Sequence, residues 1–138
     1  MNALIDTSIW SLAYRRADAD LNSGEKKLRE ELSELIREMR VRVIGPVCQE
    51  LLSGIRNRKR FDVIWSDLSS FDEEPLTLWD YKRGADISNE LRAKGITGAL
   101  VDCLICAVAI DRGFSVFTTD EDFRHYAKHL PLRLHVAR

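Results

Sequence analysis

Short apolar runs that stop on polar residues, alternating with stretches of helical period, constrain this chain most. "ALI" (3–5), "VRVIG" (41–45) and "SVFTT" (115–119) read as strands, the second over Val41 to Ile44. Between them lie helical patterns. Glu25 to Met39 puts Leu28, Leu32, Leu35, Ile36 and Met39 on one face, and Asn22 with Glu25 resembles a capping box. "SIWSLAYRRA", "PVCQELLSGI", Arg58–Leu68, Trp79–Lys94 and Ala99–Arg112 are predicted as further helices. Pro46 suits a first helical turn, and Gly95 and Gly113 suit helix ends. "PLTL" is expected as a weak strand, "DEDFRHYAKH" as a short helix and "LRLHV" as a last strand. Strands alternating with helices imply right-handed crossovers and a mostly parallel sheet, an α/β fold. Such sheets place their sites at the carboxyl ends of the strands.

At 138 residues, 1–138 is expected to form a single domain. No apolar run approaches the ~20 residues of a membrane span. The opening Met-Asn-Ala-Leu-Ile-Asp lacks the basic segment of a secretory signal, so a cytoplasmic location is expected. The net charge of −1 is not the basic excess of a typical nucleic-acid binder. Charge is nevertheless clustered: "IRNRKR" (55–60) carries four cations and "FDEE" (71–74) three anions. Three cysteines argue against a disulfide framework. Cys103 and Cys106 form a C-x-x-C inside an apolar helix, where buried thiols are the expected reading.

The acids carry the chemistry. Asp6 ends the first strand, Glu50 follows the second, and Asp120 and Asp122 follow "SVFTT". All are expected at one sheet edge. Asp102 sits near the start of an apolar helix, flanked by Leu100, Val101, Leu104 and Ile105, where a carboxylate is seldom buried without a partner. Each acid alone has a structural reading: Asp6, Asp120 and Asp122 as helix caps, Glu50 as an exposed helical residue. Together they repel, and a divalent cation relieves that cost. Hard oxygen donors suit magnesium or manganese.

"LIDTSIW", "GPVCQELLSG", "VDCLICAVAIDRG" and "VFTTDEDF" together resemble a PIN domain, and in particular the VapC-type toxins of type II toxin–antitoxin pairs. The resemblance spans nearly the whole chain. It implies a three-layer α/β/α fold with a central parallel sheet of about five strands. It also implies a magnesium- or manganese-dependent endoribonuclease, in which metal-activated water hydrolyses RNA to leave a 5′-phosphate and a 3′-hydroxyl. The family's acidic quartet falls on Asp6, Glu50, Asp102 and Asp120, with Asp122 as a further acid and Thr118 or Thr119 as a neighbouring hydroxyl. Asp6 and Asp102 carry over as metal ligands, with Glu50, Asp120 and Asp122 as additional candidates. A small antitoxin that blocks the acidic cleft and a homodimer are implied by the resemblance alone.

RNA must approach this acidic edge, so surrounding cations are expected. The candidates are Arg15, Arg16, Arg56, Arg58, Lys59 and Arg60; a solvated helix face is the alternative for "IRNRKR". Trp10, Tyr14 and Trp65 are expected in the core or an interface rather than stacked on bases. His125 and His129 have the i, i+4 spacing of zinc ligands, but without the Glu of H-E-x-x-H they read as surface residues. Two other functions fit an acidic α/β edge. A phosphoacceptor receiver module needs paired acids at strand one and a lysine after a late strand, which Ile5–Asp6 and "VFTTDEDF" lack. A housekeeping RNA-processing nuclease keeps the same chemistry without the toxin role.

Overall fold

The computed structural model describes residues Met1–Arg138. Its sheet is parallel and centred on β1 (Ala3–Ile5), with β2 (Val41–Arg42) on one side and β3 (Ser115–Phe117) on the other. Ala3 aligns with Val41 and with Ser115, and Ile5 aligns with Phe117. All three β1 residues are fully buried, which is why the strand reads as an unbroken apolar run rather than an alternating one.

Seven helices surround this sheet in an α/β fold. α1 (Thr7–Tyr14) and α2 (Ser23–Arg37) connect β1 to β2, with a 3-10 turn at Asp18–Asp20 between them. α3 (Gly45–Leu52), α4 (Arg58–Leu68), α5 (Leu78–Ala93) and α6 (Leu100–Arg112) lie between β2 and β3. α7 (Asp122–Ala127) follows β3. A single cluster of 32 buried residues joins sheet and helices. Asn22 and Glu25 do form the capping box of α2, through Glu25 N–H to Asn22 Oδ1 at 2.8 Å and the reciprocal bond at 3.1 Å.

The sheet has three strands rather than about five. Two further parallel positions exist, but each is a single bridge: Glu73 beside Val43, and Leu134 beside Val116. On the first edge, Pro75 follows within two residues and has no N–H to extend the ladder. The "PLTL" strand is therefore absent; Thr77 instead caps α5, with Asp80 accepting its backbone N–H at 2.9 Å. On the second edge, "LRLHV" leaves the sheet after His135, and Val136 is exposed. The α2 face also ends early. Met39 lies beyond the helix with φ of 58° and is 81% exposed, so it turns the chain instead of packing.

α5 and α6 form a close hairpin. Gly84 admits the approach: a Cβ there would lie 3.4 Å from Leu104 Cα. α6 is buried continuously from Cys103 to Ala109, which explains its weak amphipathic pattern. Cys103 and Cys106 are buried free thiols, and burial pushes both of their pKa values up. Trp10 is likewise core, packed against Tyr14 and Phe71, whereas Trp65 is 53% exposed.

Candidate active site

Asp6 is fixed first by backbone. Its N–H donates to the Phe117 carbonyl at 2.9 Å, carrying the β1–β3 ladder one residue beyond the strands. Its own carbonyl starts α1 by accepting from the N–H groups of Ile9 and Trp10. Asp6 thus occupies the N-cap position, yet its carboxylate makes no cap bond. Oδ2 instead accepts from the Ser8 and Thr118 hydroxyls, each at 2.7 Å. The other oxygen, Oδ1, accepts nothing from the protein. Asp6 as a residue is buried, at 6% exposure.

The two hydroxyls connect Asp6 to the loop after β3. Ser8 Oγ accepts the Thr119 N–H, and Thr118 Oγ1 accepts the Asp120 N–H, both at 3.0 Å. Each hydroxyl thus accepts one backbone N–H and gives its own proton to the Asp6 carboxylate, which can only accept. Asp120 Oδ1 then accepts the Asp122 N–H at 2.9 Å, turning the chain into α7. The cap reading of Asp120 is therefore partly realised, through one of its two oxygens.

Asp102 arrives from the opposite direction, in the first turn of α6. Tyr126 of α7 donates its hydroxyl to Asp102 Oδ2 at 3.1 Å. One carboxylate oxygen from each of Asp102, Asp120 and Asp122 lies within 4.8 Å of the others. Burial pushes the Asp102 pKa up to about 6; the Tyr126 hydrogen bond opposes this, while the charges of Asp6, Asp120 and Glu50 reinforce it. Glu50 stands exposed on α3, outside the three-acid group but near enough for its charge to act on Asp102. The donors are all carboxylate oxygens, a set suited to a hard divalent cation. Histidine and cysteine contribute nothing to it: His125 and His129 are exposed on and just after α7, and both C-x-x-C thiols are buried.

Ser8 and Tyr126 were not expected at the site. Ser8 carries a weak signal, two residues after a strand-ending acid. Tyr126 carries none, since an aromatic in a short helix reads as core. The expected cations have mixed fates. Arg15 is the end residue of α1, and its Nη2 donates to the carbonyls of Glu50, Leu51 and Ser53 at the end of α3. Arg16 pairs with Glu25, and Arg60 donates to the Tyr14 carbonyl. Arg58 pairs with Asp62 at 3.5 Å and covers the Phe61 ring. Only Arg56 and Lys59 of the six are exposed without a protein partner for the side chain.

The sheet order, the loop-borne acids and the carboxylate in the first turn of α6 define a class. A PIN-domain family model matches residues 3–129, and the chain belongs to that family. Its similar relatives include the VapC ribonuclease Mb1587 of Mycobacterium bovis and the ribonuclease VapC11 of Mycobacterium tuberculosis. Each is 32% identical over 124 residues, covering 87% of both chains. Among solved structures, VapBC2 from Rickettsia felis, bound to a DNA fragment from its promoter, superposes with a TM-score of 0.75 at 18% identity, covering 98% of each chain. FitAcB from Neisseria gonorrhoeae gives 0.70 at 20% identity, covering 98% of this chain and 97% of that one.

Proposed function

We propose that this chain, as one nuclease domain over 1–138, is a magnesium- or manganese-dependent endoribonuclease and the toxic component of a type II toxin–antitoxin pair. The observation that carries the reading is the convergence of Asp102, Asp120 and Asp122 beside the buried Asp6. The names of the VapC relatives support the ribonuclease class.

Asp6 and Asp102 would be the direct ligands, Asp6 from outside the three-acid group. Asp6 presents a free oxygen from a locked carboxylate, and Asp102 bears the strain of its neighbours' charge. Asp120 and Asp122 add donors from the exposed side of the cluster. Glu50 supplies a further ligand or a base that orients the attacking water. A bound divalent cation would supply an activated water and charge relief on the phosphoryl oxygen. Ser8 and Thr118 aim the Asp6 carboxylate, both donating their hydroxyls to Oδ2. Tyr126 does the same for Asp102. The products would be a 5′-phosphate and a 3′-hydroxyl.

No helix is long and apolar enough to cross a membrane. The partners would be a second copy of the chain and a small antitoxin whose cationic side chain enters the acidic cleft. The neighbours solved as VapBC and FitAcB complexes support that arrangement. The test is cleavage of RNA by purified protein. Magnesium or manganese should support it, and EDTA, Asp6→Asn or Asp102→Asn should abolish it. An Asp6→Asn protein that cuts as fast as its parent would remove the basis of the proposal. Co-purification with the product of an adjacent short reading frame, with loss of cleavage, separates a toxin from a housekeeping nuclease.

A further inference from the structure

A cavity of about 410 Å³ lies between the α5–α6 connection and α7. Gly95 and Thr97 line one wall, and Asp122, His125, Lys128 and His129 line the other. Its volume is in the range of small-molecule sites. Asp122 belongs to both this cavity and the acidic cluster, so the two are continuous. Three residues of helix separate Asp122 from His125, about 4.5 Å along the axis. The next group on the same side of α7 is therefore one short step from the cluster.

Its side chains are unengaged. Lys128, His125 and His129 make no ion pair and no side-chain hydrogen bond, although acidic residues abound nearby. Arg124, elsewhere on the same helix, is by contrast paired with Glu121 at 3.4 Å. One free ammonium and two planar imidazoles suit a phosphate and an adjoining base: lysine answers the charge, and an aromatic face stacks without regard to sequence.

We propose that this cavity is a nucleotide subsite, holding the RNA residue next to the bond that is cut, with Lys128 at its phosphate and His125 and His129 at its base. The proposal rests on the ribonuclease reading above and deepens it. The chain has only three histidines, and the third, His135, is packed against Phe117 outside the cavity. Imidazole C–H signals in a ¹H–¹³C NMR spectrum therefore report the site against a built-in control. The full chain, with EDTA present and pH fixed, is titrated with each ribonucleoside 5′-monophosphate, and signals are assigned by His125→Gln and His129→Gln. At least one nucleotide should move the His125 and His129 signals to saturation and leave His135 in place. Lys128→Gln should weaken that binding by about threefold or more, while Lys82→Gln, on α5 and paired with Asp86, leaves it unchanged. Equal shifts with inorganic phosphate alone would reduce the cavity to an anion patch and overturn the proposal. So would no shift with any nucleotide, or shifts of all three histidines together. Cleavage is not read here, so a failed subsite with intact RNA cleavage, and an intact subsite without cleavage, are separate results.

Discussion

Asp102→Asn should make the metal-free protein more stable while removing its response to metal. The carboxylate is half-buried among acids, and its pKa rises from an ordinary 3.8 to about 6, first through burial and then through repulsion by Asp6, Asp120 and Glu50. At about 1.4 kcal/mol per unit, that shift sets a ceiling of roughly 3 kcal/mol on the penalty of keeping Asp102 charged. The group keeps substantial contact with water, and screening reduces the figure to about 1–1.5 kcal/mol. Asparagine retains an acceptor for the Tyr126 hydroxyl, so the one favourable contact survives. For a domain of this size the gain corresponds to a rise of about 3–6 °C in Tm. The sign can be checked with pH. A raised carboxylate pKa means a cost that is fully present above the folded value of about 6 and relieved as pH falls toward the unfolded value. The gap between variant and parent should thus be widest at pH 7–8 and close near pH 4. Thermal melts in EDTA across that range measure it, and a second series with magnesium should raise the parent alone. If Asp102→Asn melts below its parent in EDTA at pH 7.5, the acids do not repel as described and the reasoning fails.

Arg15→Ala should lower stability by about 1–2 kcal/mol in denaturant titration, since one guanidinium serves three carbonyls at the α3 end; Arg15→Lys should recover only part of it. Gly98→Ala should strain the site from behind, because the new Cβ would sit 3.0 Å from Cys103 Sγ and 3.4 Å from the Tyr126 hydroxyl. A loss of about 1–3 kcal/mol is expected in melts, with recovery in Gly98→Ala/Cys103→Ala; no recovery would place the strain elsewhere. Arg138 holds the Glu38 carboxyl down to about 2, with help from Arg40, and it also engages the buried Glu31. A depressed carboxylate stabilises above its unfolded pKa and loses that contribution as pH falls through its folded one. Acid titration of the parent should therefore show loss between about pH 4.5 and 2, and Arg138→Ala should be less stable at neutral pH and show a flatter loss over that range. An unchanged acid profile would show that these contacts do not persist in solution.

The legible part of the sequence was the part carried by local pattern. The α4 boundaries follow from the Phe61, Ile64 and Leu68 spacing, and the α6 end follows from Gly113, whose φ is 70°. The grouping of Asp102, Asp120 and Asp122 was legible because the acids were read jointly, each one alone having an ordinary structural use. What escaped was contact between distant segments. Ser8 meets Thr118 across 110 positions, and Tyr126 meets Asp102 across 24. Arg15 and Arg16 read together as a basic patch, yet folding spends one on carbonyls and the other on Glu25. The outer strands failed for a related reason: a single backbone bridge leaves no periodic trace. Met39 adopts positive φ without the glycine that normally announces it.

The central place of β1 also governs when the protein becomes chemically competent. Asp6 is among the first residues made, but Phe117 anchors its backbone and Thr118 aims its carboxylate. The remaining acids of the cluster lie at 102, 120 and 122. A nascent chain therefore carries an unassembled site through most of its synthesis. The site can assemble only after β3 pairs with β1, which closes the longest loop in the sheet. Any partner that intercepts β3 during translation would keep the chain inert without touching a single acid.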